Sequence, residues 1–236
     1  MSDSLPISET FVSIQGEGKL TGVPSWFCRV SGCNLRCTWC DTPYASWNPE
    51  FSNRSNTSLV DELKASGVKH AVLTGGEPMM FPQLVELSNQ LKDLGIHITI
   101  ETAGTLTLPG VSCHLMSISP KLANSTPNND ARDLKGAWAK RHEERRLNFE
   151  VMNELIASSP DRQIKFVVSN PSDLDEIDQV LAQLNGYQPS DIMLMPEGVA
   201  VPDRESIQWV LDECLNRGWT YCPRLHIALF GDTRGT

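Results

Sequence analysis

The 236-residue chain has no run of about 20 uninterrupted apolar residues, so hydropathy gives no sign of a bilayer-spanning helix. Basic residues are in deficit, with 20 Lys and Arg against 29 Asp and Glu. The resulting formal charge of −9 argues against a protein held on nucleic acid or an anionic membrane by general attraction. The opening residues Met1-SDSLPISET lack the basic and long apolar regions of a secretory signal, and a cytoplasmic location is expected. No short internal repeat is visible, and Ser52-NRSNTS is too brief a polar stretch for a disordered domain. What remains is ordinary globular composition, 40% hydrophobic and 21% charged, at a length suited to one hydrophobic core. A single domain over residues 1–236 is therefore expected.

Seven cysteines are present, an odd number, which argues against a complete disulfide framework in a reducing compartment. Three of them, Cys33, Cys37 and Cys40, fall within eight residues in Cys33-NLRCTWCDT. A folded loop with this spacing can turn three sulfurs toward one iron-sulfur cluster and leave a fourth iron open to a cofactor or substrate. Zinc without redox chemistry and simple thiol burial are the alternatives. Cys28, Cys113, Cys214 and Cys222 have no comparably tight spacing and read as passive thiols.

Strand-like segments recur and end in polar or glycine-rich loops. Phe11 to Ile14 and Trp26 to Val30 lead into the cysteine loop; Ala71-VLT leads into Gly75-GEP, and His97-ITIET into Glu101-TAGT. Cys113-HLMSISP, Gln163-IKFVV, Asp191-IMLMP and Tyr221-CPRLHIALF continue the series. Helices are expected from a Ser58 cap through Ser58-LVDELKASG, over Pro82 to Leu94, Glu143 to Ser158, Ser172 to Leu184 and Arg204 to Arg217. Ser125-TPNNDARD and Ser52-NRSNTS read as exposed connections. The alternation predicts an α/β fold, a modified or incomplete parallel β/α barrel whose loops gather at one end, with a doubly wound sheet as the alternative.

Cys33-NLRCTWCDT followed by Thr74-GGEP resembles the radical S-adenosylmethionine superfamily. With Ile14-QGEG, Phe27-CR, Leu73-TGGEP, Glu101-TAGT, Ser117-ISPK and Arg224-LH, the likeness extends over nearly the whole chain to the 7-carboxy-7-deazaguanine synthase, or QueE, family. The resemblance implies one 4Fe-4S cluster on Cys33, Cys37 and Cys40, with S-adenosylmethionine chelating the open iron and yielding an adenosyl radical after one-electron cleavage. It further implies Mg²⁺ and ring contraction of 6-carboxy-5,6,7,8-tetrahydropterin to 7-carboxy-7-deazaguanine with loss of ammonia, in queuosine and related deazapurine synthesis. An electron donor such as flavodoxin and a homodimer are implied as partners.

Residue by residue, the likeness places Ile14, Gln15, Gly16, Glu17, Arg29, Thr74 and His226 on the pterin, with Arg29 pairing with its carboxylate, and Thr42 beside Mg²⁺. Mg²⁺ favours hard oxygen ligands, which Thr42 and its neighbour Asp41 carry. Gly75, Gly76, Glu77, Glu101, Thr102, Ser117, Ser119 and Lys121 are the candidates for S-adenosylmethionine, Glu77 alternatively stabilising its own loop. Trp39 is a candidate wall of that site or a core aromatic. Taken alone, each segment has an ordinary reading: a turn at Gln15–Gly18 and at Gly75-GEP, an ion pair at Arg29, an Asp-Thr-Pro turn at Thr42, packing at His226. Residues 47–57 depart from the family's commoner loop spacing and are expected to alter a lid or reductant surface, and the polar Gly231-DTRGT is expected to close over the substrate.

Overall fold

The computed structural model describes residues 4–236; the first three residues of the expected domain, and of the segment read for a signal, lie outside the described residues. Nine strands form one open sheet in the order β3-β1-β2-β4-β5-β6-β7-β8-β9. From β2 (Pro24–Val30) the sheet runs through β4 (His70–Gly75), β5 (His97–Thr102), β6 (Leu115–Ile118), β7 (Asp161–Val168), β8 (Ile192–Pro196) and β9 (Thr220–Tyr221), every pair parallel. β1 (Ser4–Ile14) and β3 (Ser52–Ser55) extend the β2 edge antiparallel. The parallel strands follow one another without reversal, so the sheet has no topological switch point and the doubly wound alternative falls. This is an incomplete β/α barrel, not closed between its edges.

The helices explain themselves locally. α1 (Asn56–Ser66) starts where the Ser55 side chain accepts from Ser58 N–H at 3.2 Å and stops at Gly67, whose φ of 73° suits glycine. α2 (Gln83–Asp93) buries Leu84, Leu87 and Leu91 at helical spacing. α5 (Asp173–Leu181) and α6 (Arg204–Arg217) follow β7 and β8. Apolar residues of these helices and of the strands' outer faces form one continuous core, including Trp26, Leu63, Leu87, Ile100, Phe166 and Ile177. A smaller cluster of Val167, Met193, Met195 and Cys222 lies apart from it, with Trp39 against it.

Five expectations change. The helix expected from Glu143 to Ser158 is two, α3 (Ala137–Arg145) and α4 (Phe149–Ser158), because the Asn148 side chain accepts from Val151 N–H at 3.2 Å and starts a new helix. The first helix is capped at Ser55, not Ser58, and Ser52-NRS is the edge strand β3, not a connection. Of Tyr221-CPRLHIALF only Tyr221 is strand, the end of β9: Pro223 supplies no ladder N–H, and Leu225–Phe230 turns into the short helix α7, which carries His226. Ser125 and Thr126, read as exposed, are buried.

β1 also changes face along its length. Ile7 pairs with Val30 but Glu9 pairs with Arg29, so Ser8 is an extra residue in a β-bulge. Opposed residues of an antiparallel pair share a face. Leu5 and Ile7 therefore join the helix-side core, whereas Glu9 and Phe11 lie on the face of Arg29 and Phe27, the Phe11 and Phe27 rings stacked at 4.8 Å.

At the opposite, amino end of the strands, His70 is only 3% exposed, between Ser25 Oγ at 2.7 Å and Thr99 Oγ1 at 2.8 Å. Burial, with the nearby His97, lowers its pKa from 6.5 to about 4. The unfolded chain binds this proton more readily, so the contribution is complete above pH 6.5 and is lost as pH falls toward 4, roughly 3 kcal/mol in all. Urea midpoints measured at pH 7.5 and 5 are expected to fall more in the natural protein than in His70→Gln; equal falls would remove His70 from the acid sensitivity.

Candidate active site

The carboxyl ends of the parallel strands open on a cavity of about 530 Å³. That is the end at which the loops of β/α barrels converge, and the size is within the range of small-molecule sites. The loop after β2 brings Cys33, Cys37, Trp39, Cys40, Asp41 and Thr42 to it. Its shape is held by Arg36, whose Nη1 donates to the carbonyls of Cys33 and Leu35, both at 2.7 Å, and by Trp47 Nε1 donating to Cys37 O at 3.0 Å. From behind, the Arg36 backbone N–H donates to His142 Nδ1 at 3.2 Å, which requires a neutral ring. Burial keeps it so, lowering the His142 pKa to about 4.

All seven cysteines are free, and only the three of the loop line the cavity. Burial pushes the Cys33 thiol up to about 12 and raises Cys37 as well. Thiolates at this place therefore call for a positive partner, and an all-sulfur donor set is that of an iron-sulfur cluster. Among the described residues no three Cys, His, Asp or Glu side chains gather about one ion. The three thiols of one loop all line the cavity, a donor set for three irons of a cube whose fourth stays open to the cavity. The residues present fit the cluster.

The other strand ends complete the enclosure. β1 and the loop after it contribute Ile14, Gln15, Gly16 and Glu17; β2 contributes Arg29; β4 and the loop after it contribute Thr74, Gly75 and Gly76. β5 places Glu101 and Thr102 there, β6 and its loop Ser117, Ser119 and Lys121, and α7 His226. Gly16 is packed against His226 so closely that a Cβ would lie 2.0 Å from Nδ1, and its carbonyl accepts from Leu225 N–H at 2.9 Å. The turn after β1 is thereby tied to α7 across the gap in the barrel.

Glu77 is the one sequence candidate that does not line the cavity. Fully buried, its carboxylate accepts from Met79 N–H at 3.1 Å, Thr102 Oγ1 at 2.8 Å and Ala103 N–H at 2.8 Å. Of its two expected roles, this is the loop-stabilising one. Gly75 and Gly76 serve a related end. A Cβ at Gly76 would lie 2.1 Å from Gly32 O, and Gly75 has a φ of 139°, so this loop lies directly against the backbone of the cysteine loop.

Two charged groups went unrecognised in the sequence. Lys165 of β7, with its side chain 6% exposed, pairs with Glu17, and Arg224 Nε lies 3.7 Å from the same carboxylate. Burial alone would raise the Glu17 pKa, but Lys165 and Arg224 outweigh it and hold it at about 2. Lys165 alternates with Gln163 and Val167 in β7, two polar residues at spacing two in an apolar strand, which is the signal of a cavity-facing side. Arg224 stands in the quoted Arg224-LH. Glu101, a candidate for S-adenosylmethionine, instead accepts from Gln15 Nε2 at 3.2 Å and Thr74 Oγ1 at 3.4 Å, two candidates for the pterin. Arg29 is engaged through Nε by Glu9 at 2.7 Å.

Comparison with known proteins accords with this geometry. The family model of the Radical SAM superfamily matches residues 28–120, which hold the cysteine loop and the strand ends through β6. A protein of Rhodopirellula baltica named 7-carboxy-7-deazaguanine synthase is 50% identical over 99% of this chain and 89% of its own length. One of the same name from Halobacterium salinarum is 42% identical over 99% and 93%. The crystal structure of QueE from Escherichia coli superposes with a TM-score of 0.69 at 26% identity, covering 94% of this chain and 95% of that one. A three-thiol loop at the open end of an incomplete barrel, matched along the full chain, places this protein in the 7-carboxy-7-deazaguanine synthase family of radical S-adenosylmethionine enzymes.

Proposed function

We propose that this enzyme converts 6-carboxy-5,6,7,8-tetrahydropterin to 7-carboxy-7-deazaguanine with release of ammonia, acting as one catalytic unit in the cytoplasm in the supply of queuosine and other deazapurines. The observation that carries the reading is the meeting, in one cavity, of the three thiols with Arg29 and the Glu17–Lys165 pair. Bound on Cys33, Cys37 and Cys40, the cluster with S-adenosylmethionine supplies one-electron sulfonium cleavage and a carbon radical able to take a hydrogen atom. Trp39, Gly75, Gly76, Thr102, Ser117, Ser119 and Lys121 line the side of the cavity assigned to S-adenosylmethionine; Lys121 donates to Ser119 Oγ at 2.8 Å and lies 5.5 Å above the Trp39 ring.

The pterin side is read from charge. Glu17, held ionised by Lys165 and Arg224, is an acceptor-only group suited to the N–H edge of the pterin's guanidine-like ring. Arg29 keeps its two Nη groups without a hydrogen-bond partner among the described residues, a fork matched to a carboxylate. Gln15 and Thr74, both oriented by Glu101, complete the ring contacts with Ile14, Gly16 and His226. Thr42, with Asp41 beside it, is the protein ligand of a Mg²⁺ shared with substrate oxygens. A low-potential donor such as flavodoxin and a homodimeric assembly belong to the same reading.

Anaerobic reconstituted, reduced enzyme given S-adenosylmethionine, Mg²⁺ and 6-carboxytetrahydropterin is expected to form the deazapurine, read by mass spectrometry; no product would sink the substrate assignment. Alanine at Cys33, Cys37 or Cys40 abolishes product and lowers bound iron, whereas Arg29→Gln leaves iron unchanged and raises KM roughly 10- to 100-fold, the value of a charged hydrogen bond. Turnover by Thr42→Val should lose its response to added Mg²⁺, and an unchanged response would take Thr42 out of the metal site. Lys165→Met strands a buried carboxylate and is expected to destabilise the protein by about 3–5 kcal/mol. Adding Glu17→Gln should restore much of that loss, and the melting temperatures of the single and double variants test the pair.

A further inference from the structure

The bulge at Ser8 sets Glu9 opposite Arg29, on the cavity side of the sheet but behind the cavity lining. There one carboxylate receives three donors from three separate parts of the chain. Arg29 Nε comes from β2 at 2.7 Å, Tyr44 OH from the turn after the cysteine loop at 2.8 Å, and Arg234 Nε from segment 231–236 at 3.0 Å. Arg234 also lays its guanidinium over the Tyr44 ring at 3.9 Å and reaches Glu50 at 3.2 Å. Arg29, Tyr44 and Arg234 all line the cavity, as do the other residues of 232–236. Glu9 thus touches the wall at the substrate fork, at the turn after the cysteine loop and at segment 231–236.

We propose that Glu9 is a positioning residue that couples the seating of segment 231–236 over the cavity to the alignment of the Arg29 fork. An arginine fixed through Nε presents its two Nη groups in one plane, which is the geometry a carboxylate needs. The same Glu9 carboxylate anchors Arg234, so the covering segment and the fork are set by one group. Glutamine at position 9 keeps the size and one acceptor oxygen but removes the charge that draws two guanidiniums together. This inference rests on the assignment of Arg29 to the pterin carboxylate.

The test compares Glu9→Gln, Arg234→Ala and Arg29→Gln in the reconstituted holoenzyme. Glu9→Gln is expected to raise KM for 6-carboxytetrahydropterin at least roughly 10-fold with kcat changed far less, since ground-state placement is what it disturbs. Iron content and S-adenosylmethionine binding should stay as in the parent, and amide hydrogen exchange in 231–236 should accelerate before any substrate is added. Arg234→Ala should accelerate the same exchange and raise KM by less, because Arg29 keeps its partner. Unchanged exchange and unchanged KM in Glu9→Gln, with Arg29→Gln impaired, overturn the coupling. Joint loss of iron and S-adenosylmethionine binding in Glu9→Gln makes that variant a folding defect; Arg234→Ala, at an exposed site, then decides, and unchanged exchange in 231–236 with unchanged KM overturns the coupling. An unchanged KM in Arg29→Gln overturns the pterin assignment instead.

Discussion

The site depends on two backbones lying against each other. Gly76 N–H donates to Val30 O at 3.1 Å and Glu77 N–H to Gly32 O at 2.8 Å, which fastens the loop after β4 to the start of the cysteine loop. No side chain fits between them at Gly76. Glu77 then carries the registration one strand further, since its buried carboxylate holds Thr102 and Ala103 at the end of β5. Three successive strand ends are located by one contact and one side chain. The thiols, the glycine wall and the β5 candidates keep fixed relations because of it, and loops on a rigid sheet are thereby made as exact as the sheet.

Charge is distributed against the average of the molecule. The chain is acidic overall, yet the cavity side chains include Arg29, Lys121, Lys165, Arg224 and Arg234 against Glu17, Asp41, Glu101 and Asp232. The buried ions among them are tolerable only when paired, and the pairs here are specific: Lys165 with Glu17, Arg29 with Glu9. Each pairing leaves a definite remainder, an acceptor edge at Glu17 and a donor fork at Arg29. A flat, polar, carboxylated ring needs both.

The parts of this arrangement that were legible in the sequence are those carried by local pattern. Strand-to-loop transitions at Thr74-GGEP, Glu101-TAGT and Ser119-PK, together with the cysteine spacing, led to the incomplete barrel, and the family resemblance carried by those motifs led to the candidate residues, all but Glu77 of which line the cavity. What stayed hidden depends on partners distant in the chain. His142, in a charged helix, is buried because the cysteine loop needs an acceptor behind it; Glu9 is one polar residue in a serine-rich strand until its bulge and its partner Arg234, 225 residues away, are known. The six residues Leu225–Phe230 show the other limit: a short apolar run fits strand or helix alike, and only the break at Pro223 and the anchor on Gly16 decide for helix.

The bulge in β1 has a bearing on which changes of chain length this fold accepts. A loop exposed on the surface can lengthen or shorten and alter little beyond its own contour. Ser8 opposes no residue of β2, so its removal would leave regular alternation, with Ile7 still opposite Val30 and Glu9 still opposite Arg29, each on its own face. A residue removed between Phe11 and Ile14, where the pairing with β2 is regular, would instead reverse the face of everything on one side of the gap. In that strand the bulge is one residue of slack, and the same loss a few residues further on would exchange the inside of the enzyme for its outside.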